Sequence, residues 1–210
     1  MFDLGNLAVF IVAVLVLAFT PGPDMLYIIA RSAGQGRKAG VVSALGVGTG
    51  IVVHTTAAAI GLSAILASSA VAYDVVKYVG AVYLVYLGIR MFVSREKNLT
   101  PTSKLRGMSL WHIFTQAVVT NVLNPKVALF FLAFLPQFVT PENGNVALQY
   151  IFYGSLFNLI GTSFNTGIAL LAGFLDDWLK RKQSYLRAQK WVTGSIFVAL
   201  GLRLALLQKH

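Results

Sequence analysis

Thr20-Pro21-Gly22-Pro23-Asp24 interrupts an apolar run that begins at Leu4 and continues past the break through Met25 to Ala30, and Asn121-x-x-Asn124-Pro125-Lys126 interrupts a second run, at 110–139. A proline inside a helix removes a backbone donor and collides with the carbonyl four residues back, and two prolines flanking a glycine oppose continuation more strongly still. Carbonyls freed in this way must face protein or water when the surroundings are lipid. Pro21 and Pro125 lie 104 residues apart, almost half of the 210-residue chain. The same offset puts Gly40 on Gly144, Gly50 on Gly154, His54 on Asn158 and Ala57 on Gly161, and an offset of 113 aligns Leu87-Gly88-Ile89-Arg90 with Leu200-Gly201-Leu202-Arg203. The pattern predicts three spans followed by three more. Because three is odd, the second set crosses from the opposite side, so the repeats are inverted about an axis in the membrane plane.

Composition agrees that the solvent is a bilayer. The chain is 57% hydrophobic and 11% charged, whereas a soluble domain is about a quarter charged. A spanning helix needs about 20 mainly apolar residues to cross about 30 Å of hydrocarbon. Six stretches meet or approach this: 4–20, 39–66, 75–93, 110–139, 146–175 and 191–207. The expected fold is therefore all-α, a single polytopic membrane domain over 1–210. It has six transmembrane helices in two inverted three-helix repeats, about 1–95 and 108–207, with the first and fourth helices broken at proline. The N-terminal MFDLGNLAVF has no basic residue and is followed by no small-residue cleavage pattern, so the first segment is expected to be retained.

The charges give the orientation. Arg31, Arg37 and Lys38 follow the first segment; Arg90, Arg95, Lys97, Lys104 and Arg106 follow the third; Lys180, Arg181, Lys182, Arg187 and Lys190 follow the fifth. The loops after segments two and four carry no Lys or Arg, and only Arg203 and Lys209 fall at the C-terminal end. The positive-inside rule then puts loops 1, 3 and 5 in the cytoplasm and both termini outside. A net charge of +10 could suggest nucleic acid, but charges divided among three short loops without interleaved aromatics do not build a base-stacking platform. The absence of cysteine excludes disulfide scaffolds, thiolate metal sites and cysteine nucleophiles.

Inverted-repeat carriers place corresponding broken helices at the midplane, where half-helix N-termini offer free N–H groups and positive partial charge to an anion. Each break here also carries an ionisable residue, Asp24 or Lys126. A charge at the bilayer centre costs about 2.5 to 3.5 kcal/mol even on the lenient insertion scale, so each needs a partner, water or substrate. Plainer roles stand beside these: kinks that shape the bundle, Asp24 as N-cap of the helix after Pro23, and Lys126 snorkelling to an interface. His54, at mid-segment, is a proton relay or a hydrogen-bonded packing residue. Asn158, Thr162, Asn165 and Thr166 recur at helical spacing, as a stripe that lines a passage or bonds adjacent helices. Gly46-x-x-x-Gly50, with Gly36 and Gly40 upstream, predicts close backbone packing of the second span.

Three motifs carry a resemblance: Pro21-Gly22-Pro23-Asp24; Gly36-x-x-x-Gly40-x5-Gly46-x-x-x-Gly50; and Asn124-Pro125-Lys126 with the aromatic-rich run ending Leu135-Pro136-Gln137-Phe138. Together they resemble the lysine exporter (LysE/RhtB) family of bacterial amino-acid efflux carriers. The likeness covers the whole chain, including YLVYLGIR at 83–90 and ALGLRLA at 199–205. It implies a secondary exporter in the bacterial cytoplasmic membrane for amino acids and derivatives such as lysine, threonine or homoserine, driven by the proton or membrane gradient. The expected partners are an amino-acid-like solute, protons and the bilayer, with no cofactor and no metal, and a homo-oligomer is left open. The expected site comprises Pro21, Gly22, Pro23, Asp24, His54, Asn121, Asn124, Pro125, Lys126 and Asn158. In it the helix N-termini and Lys126 receive the substrate carboxylate, while Asp24 meets the ammonium or exchanges a proton. The alternative is a channel or metal-ion exporter of the same architecture, against which stands the lack of grouped Cys, His or carboxylate ligands. No nucleophile partner for His54 or Asp24 and no phosphate-binding loop suggests an enzyme.

Overall fold

The computed structural model describes residues 4–64 and 107–181, together with 71, 75, 78–79, 81–82, 85–86, 89, 92–93, 191, 195, 198–199 and 201–202. Side chains are described from residue 6 and, in the last long helix, as far as Ala172. All regular structure among these residues is helical. Helix α1 covers Leu4–Phe19, α2 Pro23–Gln35 and α3 Arg37–Ala57, which continues through a π turn at Ala58–Leu62. In the second half, α4 covers Leu110–Val122 and α5 Pro125–Leu129, extended by a π turn at Phe130–Phe134 and a 3-10 turn at Leu135–Phe138. A 3-10 turn at Pro141–Asn143 then leads to α6, Val146–Arg181.

Both proline breaks occur where their chemistry demands. The chain bends by 51° between α1 and α2 and by 46° between α4 and the stretch Pro125–Phe138. Arg37–Leu62 and Val146–Ala172 are long and apolar enough to cross a membrane, and each bent pair also qualifies when taken as one span. Each half thus runs through a broken pair into a long helix, and each long helix is preceded by a glycine in the left-handed region, Gly36 (φ 87°) and Gly144 (φ 107°). In this order Gly36 holds the place before its long helix that Gly144 holds before the other, whereas the uniform offset sets Gly40, inside α3, on Gly144. The five-residue helix α5 and the turns after it account for the slippage. The described residues of 71–93 and 191–202 are helical. Lys77, Arg90, Arg203 and the basic loops 94–106 and 182–190 lie outside the described residues.

The first loop differs from the reading of its charges. Expected over Arg31 to Lys38, it shrinks to Gly36 alone, because α2 runs on to Gln35 and α3 begins at Arg37. A positive φ, which glycine adopts without steric cost, reverses the chain within one residue. Arg31 consequently sits inside α2 and is buried, while Arg37 and Lys38 stay exposed.

Lipid tails are as apolar as leucine, so burying apolar area does little to join helices in a bilayer; close packing and polar bonds must do it. Helix α3 lies between α4 and α6 and is joined to both through glycine. A Cβ at Gly46 would stand 2.6 Å from the Phe114 carbonyl oxygen and 2.7 Å from the Ala117 Cβ, both on α4. One at Gly48 would stand 2.6 Å from Thr162 Oγ1 on α6, and one at Gly40 would stand 3.0 Å from the Ala169 Cβ. The close packing read from the glycine spacing is present, and it serves two partners on opposite faces of α3. Ser32 adds a hydrogen bond from α2 to the Ala169 carbonyl of α6. Elsewhere Phe10 of α1 sits among Phe130, Phe138 and Tyr153, with ring centroids 5.9, 5.2 and 4.8 Å away, so the first helix is packed into the aromatic run that follows the second break. The Phe92 and Trp191 rings lie 4.9 Å apart, and a Cβ at Gly201 would stand 2.8 Å from the Ala81 carbonyl oxygen.

Candidate functional site

The two breaks meet. Asp24, at the second position of α2, turns its carboxylate away from its own helix end: Oδ2 accepts hydrogen bonds from Asn121 Nδ2 and Asn124 Nδ2, both at 2.8 Å. It does not cap α2, whose N-cap is Gly22 with an extended backbone and no side-chain bond. Asn121 is the last buried residue of α4 and Asn124 is the N-cap of α5, where its Oδ1 accepts from the Lys126 backbone N–H at 3.0 Å. Asn124 therefore binds its own helix start and the opposite break at once. One of the N–H groups expected to be free at this helix start is already engaged, because asparagine just before a Pro-initiated helix is a strong capping residue.

Lys126 crosses in the other direction. Its Nζ donates to the Leu17 carbonyl at 3.0 Å and the Thr20 carbonyl at 2.9 Å, the last turn of α1 and the residue after it. The Leu17 carbonyl otherwise accepts only the Thr20 N–H, at 3.2 Å and shared with Val16, because α1 ends there, and a cation at a helix C-terminus suits the macrodipole. Lys126 is thus held at the other break rather than snorkelling to an interface. Gly22 makes room for it: a Cβ there would lie 3.2 Å from Lys126 Nζ and 3.3 Å from its Cε. Among the described residues Asp24 and Lys126 do not pair within 4.0 Å, so the carboxylate and ammonium remain separate, each bound to the other's break.

Valences remain open. Asp24 Oδ1 and Asn121 Oδ1 are buried with no hydrogen-bond partner. Lysine has three N–H donors, and two of those on Lys126 are used. Asn121 Oδ1 faces Gly50, where a Cβ would stand 2.5 Å away, so α3 closes one side of the cluster with bare backbone. His54, one turn beyond Gly50, reaches the Asn121 carbonyl oxygen with Nε2 at 3.2 Å and stacks on Phe131, ring centroids 5.6 Å apart.

Of the ten expected site residues, nine are brought together: Pro21, Gly22, Pro23, Asp24, His54, Asn121, Asn124, Pro125 and Lys126. Asn158 is not among them. It accepts from Thr162 Oγ1 at 2.8 Å and packs beside Gly48, and two residues along a helix is a turn of about 200°, so it stands across α3 from Asn121. Among the described residues no three His, Cys, Asp or Glu side chains group as metal ligands.

The sequence model described as "LysE type translocator" matches residues 15–208, nearly the whole chain. The chain belongs to the LysE family of translocators. Relatives of this LysE-family chain match it end to end. "Uncharacterized membrane protein YrhP" of Bacillus subtilis (strain 168) is 29% identical, over 96% of this chain and 99% of its own length. "Leucine efflux protein" of Salmonella choleraesuis (strain SC-B67) is 26% identical, over 97% of this chain and 96% of its own length. The protein of the same name in Salmonella paratyphi A (strain ATCC 9150 / SARB42) matches to the same degree. No solved structure matches the chain.

The LysE-family chain also holds a polar cluster that the sequence reading passed over. Arg31, 6% exposed, donates to Gln35 Oε1 at 2.9 Å and to Gln116 Oε1 at 3.1 Å, and its guanidinium lies 5.3 Å from the centre of the Tyr27 ring. The single Tyr27 hydroxyl proton is shared between the Ile113 carbonyl oxygen at 3.0 Å and Gln116 Oε1 at 3.1 Å. Gln35 Nε2 in turn donates to the Met108 carbonyl at 3.1 Å. Asp24, Tyr27 and Arg31 stand at i, i+3 and i+7, one face of α2. That spacing was the available signal, hidden by counting Arg31 as a loop charge.

Proposed function

We propose that this chain is a secondary exporter that moves a zwitterionic amino acid or close derivative out of the bacterial cytoplasm, and that the joined breaks hold the solute. One observation carries the reading: a buried carboxylate and an ammonium stand at the same place without neutralising each other, and each retains a free valence. An α-amino acid presents the complementary pair on one carbon. Its ammonium meets Asp24 Oδ1, and its carboxylate takes the third N–H of Lys126 with what remains of the helix-start donors after Pro23 and Pro125. Membership in a translocator family and relatives named for leucine efflux support the direction and the class of solute.

The architecture proposed for this task is six spans in two inverted repeats, about 1–95 and 108–207, forming one domain. Loops 1, 3 and 5 face the cytoplasm, in a monomer or homo-oligomer. The repeated order of broken pair, positive-φ glycine and long helix supports it. Export is coupled to protons: Asp24 exchanges a proton for the substrate ammonium, and His54 stands beside it through Asn121. A competition panel containing leucine, threonine, homoserine and lysine, in a bacterial strain deficient in export, tests the function. The expected result is resistance to, and efflux of, at least one amino acid only when the chain is expressed; efflux of none contradicts it.

A further inference from the structure

A buried guanidinium usually has a carboxylate beside it, because amide oxygens alone compensate only part of its desolvation. Arg31 has none among the described residues. Its partners are the neutral amides of Gln35 and Gln116, and two of its five N–H donors account for both bonds. Arg31 stands before the last turn of α2, and the helix macrodipole acts within that turn, so the helix end does not account for the charge, nor for the convergence of a hydroxyl, an aromatic face and two amides upon it. Gln116 is exposed and Gln35 only partly buried, so the side chains that cover the guanidinium are ones that can swing aside.

Position along the helix adds the second part. Seven residues separate Arg31 from Asp24 on the same face, about 10 Å at 1.5 Å per residue. That is too far for one amino-acid headgroup to touch both, so Arg31 is a place apart from the joined breaks. It lies on the Gly36 side of them, the side that loop 1 puts toward the cytoplasm. Tyr27, between the two, adds a hydroxyl to the seam between α2 and α4, which carries polar groups from Gln35 to Asn121 alongside the buried Ile113 and Ala117.

We propose that Arg31, with Tyr27 and Gln116, forms a separate carboxylate-binding station that receives the substrate on the cytoplasmic side before it reaches the breaks. The proposal rests on the amino-acid reading given above and names a second site on the same route. The incoming carboxylate takes the guanidinium fork in place of the Gln35 and Gln116 oxygens, a bidentate, charge-assisted pair that amides cannot match. The Tyr27 hydroxyl is freed with Gln116 and donates to the same carboxylate.

The test is uptake into inside-out vesicles, comparing amino acids with their carboxamides: leucine with leucinamide, threonine with threoninamide and lysine with lysinamide. Arg31→Gln is expected to lower the preference for acid over amide about tenfold, the scale of one charge-assisted pair, chiefly through the half-saturation concentration. Gln116→Glu gives a second readout should Arg31→Gln fail to accumulate. It puts a fixed carboxylate on Arg31, which competes with the substrate and raises half-saturation about tenfold. Were Arg31 only a tie between α2 and α4, the new ion pair would leave half-saturation unchanged. An unaltered acid preference in Arg31→Gln, or unaltered half-saturation in Gln116→Glu, overturns this station and leaves the exporter intact. Absence of uptake of every acid by the unmodified chain overturns the exporter reading itself.

Discussion

The two breaks solve the same problem by different means. At the first, two prolines flank a glycine, the chain passes through extended backbone, and no side chain caps the helix that follows. At the second, a single proline is enough because Asn124 caps the new helix, and the second half-helix lasts five residues before loosening into π and 3-10 turns. Their ionisable residues have opposite sign and are exchanged: the acid of the first break is bound by amides of the second, and the base of the second by carbonyls of the first. The two breaks thus bend the chain alike but are complementary in charge. A site between them is therefore polarised, with an anionic and a cationic end.

The cationic end carries the largest expected effect. Lys126→Ala removes the ammonium that donates to the Leu17 and Thr20 carbonyls and the cation near Asp24. Loss of the ammonium that receives the substrate carboxylate removes a charge-assisted pair, about 1.5 to 3 kcal/mol, so export is expected to fall about 10- to 100-fold, with the protein still detected in the membrane. Undiminished export by Lys126→Ala would dismiss the role given to the ammonium. The anionic end is tested more gently by Asp24→Asn, since asparagine can still present one oxygen to Asn121 and Asn124. With proton exchange at Asp24, export by the variant loses its dependence on pH while transport continues down a solute gradient. A pH profile identical to that of the unmodified chain rules the exchange out.

Smaller effects probe the glycines that let the breaks approach. Gly50→Ala would put a Cβ 2.5 Å from Asn121 Oδ1 and 2.7 Å from its Cβ. It should destabilise the protein by about 1 to 3 kcal/mol, as overpacking does, and loosen the hold on Asp24, read as a lower melting temperature in detergent and weaker export. Gly22→Ala meets only the flexible end of Lys126, at 3.2 and 3.3 Å, and should cost less than Gly50→Ala in the same assay. Gly167→Ala, which meets nothing within 4 Å, should be neutral or raise stability by up to about 1 kcal/mol, the propensity of alanine over glycine in a helix.

What could be read from the residues in advance was what is local. Proline chemistry located both breaks, and the spacing of Gly46 and Gly50 announced a helix whose backbone is approached closely. The pairings were not legible. The residues point Lys126, with the helix ends, at a substrate carboxylate and Asp24 at its ammonium, but the amides of Asn121 and Asn124 and the carbonyls of α1 compete for them, and that competition is decided by side-chain directions that spacing does not record. Asn158 failed to join the cluster because the offset that aligned it with His54 says nothing about which face of α3 each partner meets. Arg31 reads as a loop charge because the apolar run after Pro23 stops at Ala30. The left-handed Gly36 lets it run a further turn, and the charge is drawn inside.

On the function proposed above, the joined breaks form a hydrated place that the solute occupies. The chain contains no cysteine, so single-cysteine variants Pro21→Cys and Pro125→Cys each carry one thiol beside this place. Labelling by a membrane-impermeant thiol reagent in vesicles, with and without the exported amino acid, is the direct measurement. The account predicts that both positions are labelled and that the amino acid protects both. Thiols that stay unlabelled from either side, or that are labelled equally at saturating amino acid while transport proceeds, would contradict it.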